Sequence, residues 1–106
     1  KTGVISYTIQ KIAEKAGYNV IRDYAGHGIG YHLHEPPEIP CYGSKHQGIK
    51  LKPGMTICIE TLISEGSPEI HNKSEWETQM KDNKLFVQFE HTILITPNGR
   101  EILTKI

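Results

Sequence analysis

The chain has 106 residues, with 12 Lys and Arg set against 12 Asp and Glu for a formal net charge of zero, a length that holds one domain or a piece of one with a single modest core. The charges are dispersed and balanced, which argues against a nucleic-acid or membrane-surface partner. No apolar run approaches the ~20 residues a membrane span needs and no signal-like segment opens the chain, so a cytoplasmic protein is expected.

The sequence begins Lys1-Thr2-Gly3 without an initiator Met and reads as a fragment whose natural start lies upstream. Over residues 4–16 the apolar positions Ile5, Ile9, Ile12, Ala13 and Ala16 recur at helical spacing, with Gln10, Lys11, Glu14 and Lys15 opposite them. This predicts one amphipathic helix, ended by Gly17 in a left-handed cap. Residues 18–24, with Val20 and Ile21, read as a short strand. It leads into a glycine-rich stretch, residues 26–37, expected as a loop. Residues 35–52 hold enough prolines and glycines to predict a long irregular excursion, and loops of that length usually carry function. Cys41 and Cys58 make no C-x-x-C pattern and are expected as two reduced thiols.

Pro53-Gly54 marks a turn, and residues 55–64 read as a strand. Side-chain alternation puts Met55, Ile57, Ile59 and Thr61 on one face, and Thr56, Cys58, Glu60 and Leu62 on the other. Residues 64–74 read as a loop, and 76–81 and 85–96 as two strands of a hairpin turned at Asp82-Asn83. In the second of these, Phe89, His91, Ile93 and Ile95 share one face and Gln88, Glu90, Thr92 and Leu94 the other. Pro97-Asn98-Gly99 is a turn before a closing strand at 101–106. The fold class is α+β, a mostly antiparallel sheet with one amphipathic helix.

Chemistry concentrates in Gly26-His27-Gly28-Ile29-Gly30-Tyr31-His32-Leu33-His34-Glu35-Pro36-Pro37. Its glycines let a backbone approach a ligand closely, and its prolines stop a helix. Three histidines in such a run serve as metal ligands, as an acid/base pair or as part of a solvated loop, and the residue types alone leave all three open. Glu60 and Glu90 are the second signal. Each is a carboxylate in the middle of an apolar strand, a position that calls for a partner or a metal. A lysine would satisfy either one alone. Both together with His27 are the parts of a divalent metal site whose nitrogen and oxygen donors suit Mn, Fe, Co or Zn. A carboxylate can bridge two such ions about 3.5 to 4 Å apart, an arrangement that activates water and clamps a carbonyl oxygen.

Taken together, Gly26-His27-Gly28-Ile29-Gly30, His34-Glu35-x-Pro37, Leu51-Lys52-Pro53-Gly54-Met55-Thr56, Ile59-Glu60, Gln88-Phe89-Glu90-His91-Thr92 and Gly99 with Glu101-Ile102-Leu103-Thr104 resemble type I methionine aminopeptidase in order and spacing. The resemblance covers nearly the whole chain. It implies half of a pita-bread fold, with residues 1–106 as the C-terminal half of a catalytic domain built around two divalent ions. It implies His27 as a metal ligand, Glu60 as a ligand that is also the general acid/base toward the bridging hydroxide, and Glu90 as the bridging ligand. His34 would hydrogen-bond the scissile peptide, and Trp76 and Leu33 would lie near the pocket for the substrate's methionine. The reaction implied is removal of the N-terminal methionine of a nascent polypeptide when the second residue is small.

The sequence departs from that family in several places. The family's two aspartate ligands and a further histidine belong upstream of the helix, so the fragment is expected to hold one ion or none and to be inactive alone. Leu33 stands where an aromatic is common, Thr61 where proline is usual, and Cys58 where threonine is usual. Leu85-Phe86-Val87 is bulkier than the family's small residues. Two other readings compete. Gly26, His32-x-His34 and Glu38 approach a single-metal cupin motif, which then fails at Gly43 and after Pro53-Gly54. A non-catalytic pita-bread-like interaction module would not need His27, His34, Glu60 and Glu90. If the half-domain folds alone, its uncovered sheet is expected to pair in a homodimer.

Overall fold

Helix α1 spans Thr2–Lys15 in a computed structural model that describes residues 1–72 and 78–106. It starts earlier than the hydropathy spacing predicts because its first turn is held by distant backbone. The Thr2 amide donates to the Ile49 carbonyl at 2.8 Å and the Gly3 amide to the Gln47 carbonyl at 3.1 Å. These bonds satisfy donors that a first helical turn leaves without intrahelical partners. Only glycine fits at position 3, since a Cβ there would lie 2.3 Å from the Ser44 carbonyl oxygen. The buried face therefore runs through small residues, Thr2, Ser6 and Ala13, with Ile9 beside them, whereas Ile12 and Ala16 of the expected stripe are exposed. Gly17 ends the helix at φ +88°, as the sequence predicts.

The strands are β1 (Asn19–Val20), β2 (Ala25–Gly28), β3 (Glu35–Pro40), β4 (Thr56–Ser64), β5 (Ile70–Asn72), β6 (Thr78–Met80), β7 (Phe86–Thr96) and β8 (Gly99–Ile102). The main sheet runs β3-β2-β4-β7-β8, with β1 pairing the far end of β4, and β5 and β6 form a separate ribbon. All described pairings are antiparallel. Strand β4 is the spine: β2 and β1 lie end to end along one edge and β7 runs along the other. Ile57, Cys58, Leu62 and Ser64 are buried along it. Ala13, Val20, Ile21, Cys41, Leu62 and Met80 make the core, with Ile9, Tyr42, Ile63 and Ile70 packed against them.

Several expectations are corrected. The run at 26–37 is not a loop throughout: β2 and β3 form a hairpin through it, with a register shift between His27 and Gly28. Prolines mask β3 in the sequence, yet they are tolerated because β3 is an edge strand among the described residues, with a ladder on one side only. The excursion expected at 35–52 therefore begins only after Pro40. The strand expected at 18–24 shrinks to Asn19–Val20. Of residues 76–81, the described part does not pair with 85–96. Within them β6 pairs β5, which itself lies in the segment expected as a loop, and β7 pairs β4 and β8. The closing strand is Gly99–Ile102 rather than 101–106.

Strand β8 pairs with β7 only from Ile93 to Thr96. The first part of β7, Phe86–Glu90, is exposed on its outer side, and Phe89 keeps 66% of its surface accessible.

Candidate metal centre

The register of three strands assembles the site. His27 on β2 lies directly across from Cys58 on β4, Cys58 lies across from Thr92 on β7, and Glu60 lies across from Glu90. Directly opposed residues of an antiparallel pair share a face, with Cβ atoms about 4.5–5.5 Å apart. The alternation read from the sequence puts Cys58 with Glu60 and Glu90 with Thr92, and the register joins these faces and adds His27 to them. Gly26 lets β2 come this close, since a Cβ there would lie 2.4 Å from the Cys58 carbonyl oxygen.

His27 is buried, and its Nδ1 lies 2.8 Å from the Gly28 carbonyl oxygen. A carbonyl only accepts, so Nδ1 carries the hydrogen and Nε2 is the atom left to bind. That nitrogen lies 3.0 Å from Glu60 Oε1. One proton must sit between them, on the ring or on the carboxyl, and a metal ion is the other electrophile that satisfies both atoms. A ring whose second nitrogen is fixed by a backbone carbonyl is how a metal-binding histidine is oriented. The His34 ring stands edge-on to His27 with centroids 4.4 Å apart.

Burial raises the Glu60 carboxyl above its ordinary range, and the neighbouring Glu90 charge raises it further, against the lowering influence of His27 and His34. Two carboxylates facing each other across a ladder repel, and a cation between them removes that cost. Burial likewise raises the Cys58 thiol; the Thr92 hydroxyl, 3.5 Å from Sγ, lowers it, and Glu90 and Glu60 raise it further. Donor atoms of His27, Cys58 and Glu90 all lie within 4.8 Å of one another. The set fits a divalent ion by chemistry, by shared face and by the fixed tautomer of His27.

Beside these groups a cleft of about 370 Å3 is lined by Tyr24, His34, Glu60, Leu62, Phe86 and Gln88, among others. The Tyr24 hydroxyl is 3.0 Å from Thr78 Oγ1 across its mouth. A separate apolar groove of about 390 Å3, at Tyr18, Ile63, Phe86 and Val87, contains none of the donor residues.

The sequence pattern of metallopeptidase family M24 matches residues 1–97. The chain belongs to that family. Among its relatives, methionine aminopeptidase from Escherichia coli strain K12 is 46% identical over 101 residues, which are 94% of this chain and 38% of that protein. Methionine aminopeptidase 1 from Bacillus subtilis strain 168 is 43% identical over 103 residues, 96% of this chain and 42% of that protein. The crystal structure of methionine aminopeptidase from Thermotoga maritima matches with TM-score 0.97 at 48% identity, over all of this chain and 43% of that one. The M24 chain thus spans about two-fifths of the length of these relatives, and its fold is part of their pita-bread architecture.

Within this M24 chain the structure brings His27, Glu60, Glu90 and His34 together. His32 points to a different role: it is exposed, and its backbone amide donates to Glu35 Oε2 at 2.8 Å. With Glu38 exposed on the edge strand, nothing gathers a cupin ligand set. Leu33 is 68% exposed and does not line the cleft, and Trp76 lies outside the described residues. Tyr24, Leu62 and Gln88 are lining residues that the sequence reading passed over. Leu62 and Gln88 were findable, each being two positions from a site glutamate and so on its face.

Proposed function

We propose that this chain is the C-terminal half of the catalytic domain of a methionine aminopeptidase, acting in the cytoplasm on the N-terminus of nascent polypeptides. The observation that carries this reading is the 3.0 Å contact of His27 Nε2 with Glu60 Oε1, on the face that Glu60 shares with Glu90. His27, Glu60 and Glu90 would hold divalent ions of the Mn, Fe, Co or Zn class, two in the complete enzyme with the help of ligands from further chain. When bound, the ions supply an activated water and polarise the substrate carbonyl.

The chain's own residues do the remainder. The Glu60 carboxylate would take a proton from the attacking water and pass it to the departing amine. His34, at the rim of the cleft beside His27, donates a hydrogen bond to the scissile peptide and orients it. Leu62, Phe86 and Tyr24 give the cleft apolar walls suited to an unbranched side chain such as methionine.

The test is a chimera in which this chain replaces the matching segment of the Escherichia coli enzyme. It is expected to release methionine from a Met-Ala-x peptide with Mn or Co, and to lose that activity on His27→Ala. A folded, metal-loaded chimera without methionine release refutes the proposal. The 106-residue chain alone is expected to give no turnover, since it spans only part of its relatives' length, and turnover by it would overturn that expectation. Alone in solution, it is expected to cover the exposed first part of β7 with a second copy, and a stable monomer by light scattering would refute this.

A further inference from the structure

The two cysteines occupy opposite kinds of place. Cys41 is wholly buried in the core cluster and donates its S–H to the Glu60 carbonyl oxygen at 2.9 Å, an ordinary packed thiol. Cys58 is 2% exposed and shares its face with an imidazole and two carboxylates. Its Sγ, a ring nitrogen of His27 and a carboxylate oxygen of Glu90 converge within 4.8 Å. Ligand bonds of about 2.3 Å for sulfur and about 2.0–2.2 Å for nitrogen and oxygen put two donors of one tetrahedral ion about 3.3–3.7 Å apart. Side-chain rotations that move the donors by about an ångström close the set.

We propose that Cys58 is a thiolate ligand to a divalent ion held with His27 and Glu90, a mixed sulfur, nitrogen and oxygen site that takes Zn or Co in preference to Mn. The inference rests on the reading of this face as the metal centre and adds a donor to it. As the metal–sulfur bond forms, the S–H bond breaks, the electron pair stays on sulfur and is donated to the ion, and the proton leaves to solvent. Threonine at this position would offer only a neutral hydroxyl, so the cysteine changes which metal the face selects.

Cobalt(II) titrated into the metal-free chain, followed by absorption, tests this. The expected result is a near-ultraviolet sulfur-to-cobalt charge-transfer band rising together with the visible d–d bands. Cys58→Ser loses the charge-transfer band and keeps visible bands, and Cys41→Ser keeps both. Zinc-loaded wild-type chain provides a reading that does not depend on a variant folding: X-ray absorption should show one sulfur scatterer at about 2.3 Å. Visible bands without the charge-transfer band, or zinc surrounded by nitrogen and oxygen alone, overturn the Cys58 ligand and leave the metal centre standing. No cobalt bound at all overturns both for this chain.

Discussion

Replacing Gly26 by Ala tests whether close approach of β2 to β4 is what builds the site. The added Cβ would lie 2.4 Å from the Cys58 carbonyl oxygen, and 3.3 Å from both the Glu60 nitrogen and the Ile39 carbonyl oxygen. Ordinary contact begins at 3.4 Å, so β2 must withdraw from β4 by about 1 Å, and the Ile39 backbone on the β3 side stands in its way. None of these neighbours is a flexible side chain. Overpacking of this kind costs about 1–3 kcal/mol, which in a domain of this size lowers the melting temperature by roughly 5–20 °C. The same withdrawal carries His27, the next residue, from 3.0 Å to about 4 Å from Glu60, past hydrogen-bonding reach. Metal affinity should then fall by about 10–100-fold, the size of effect seen when a ligand's orientation is lost. Calorimetry of the metal-free variant and zinc titration measure the two effects separately. A Gly26→Ala chain that melts with the wild type and binds zinc as tightly would refute the argument that the strand spacing sets the site.

Glu60→Gln offers a side-chain N–H to the accepting Nε2 of His27 while removing one of two facing carboxylates, so the metal-free chain should keep its stability or gain up to about 1 kcal/mol in urea unfolding. Its advantage should depend on pH. With its value raised in the folded chain, Glu60 favours folding when protonated; that contribution is complete below its unfolded-state value and is lost as pH rises through the folded value. The variant therefore gains on the wild type as pH rises above about 4.5, and a constant difference would contradict the assignment. In the chimera, His34→Ala should lower kcat/KM on the order of 10²-fold by removing a donor to the peptide, whereas His32→Ala should leave it unchanged; equal losses would refute the division of roles. Ile57→Ala, at 1% exposure on the central strand, should cost about 2–5 kcal/mol of unfolding free energy, and a loss under 1 kcal/mol would place Ile57 outside the core.

The parts of the fold legible in the sequence are those where one local rule acts alone. Alternation along β4 and β7 put Glu60 and Glu90 on matching faces, and the observed register pairs them directly. Gly17 signalled the helix end correctly because its φ of +88° is a local requirement. Where tertiary pairing overrides composition, the sequence misleads. Glu35-Pro36-Pro37 reads as loop, yet becomes an edge strand because β2 needs a partner on its outer side. Ile12 reads as core, yet is exposed because α1 docks through Thr2 and Gly3 against the backbone of residues 44–49. The site followed the same division: strand periodicity found the glutamates, but among three histidines it could not choose. The choice is made by register, which sets His27 opposite Cys58, and by the hairpin, which folds His34 back onto it.

One strand is therefore asked to be core and site at once: its ends are core and its middle is site. Ile57, Leu62 and Ser64 are buried and anchor β4 in the sheet, while Glu60 between them introduces a carboxylate that burial penalises and Glu90 repels. Local apolar choices point to a stable ladder and the opposed glutamates point against it, the kind of conflict that natural sequences keep where function requires it. The exposed first part of β7 carries Glu90 with no described strand on its outer edge. A cation bound between β2, β4 and β7 would tie that segment to the sheet and relieve the repulsion in the same step, so the metal stabilises the element that helps to bind it.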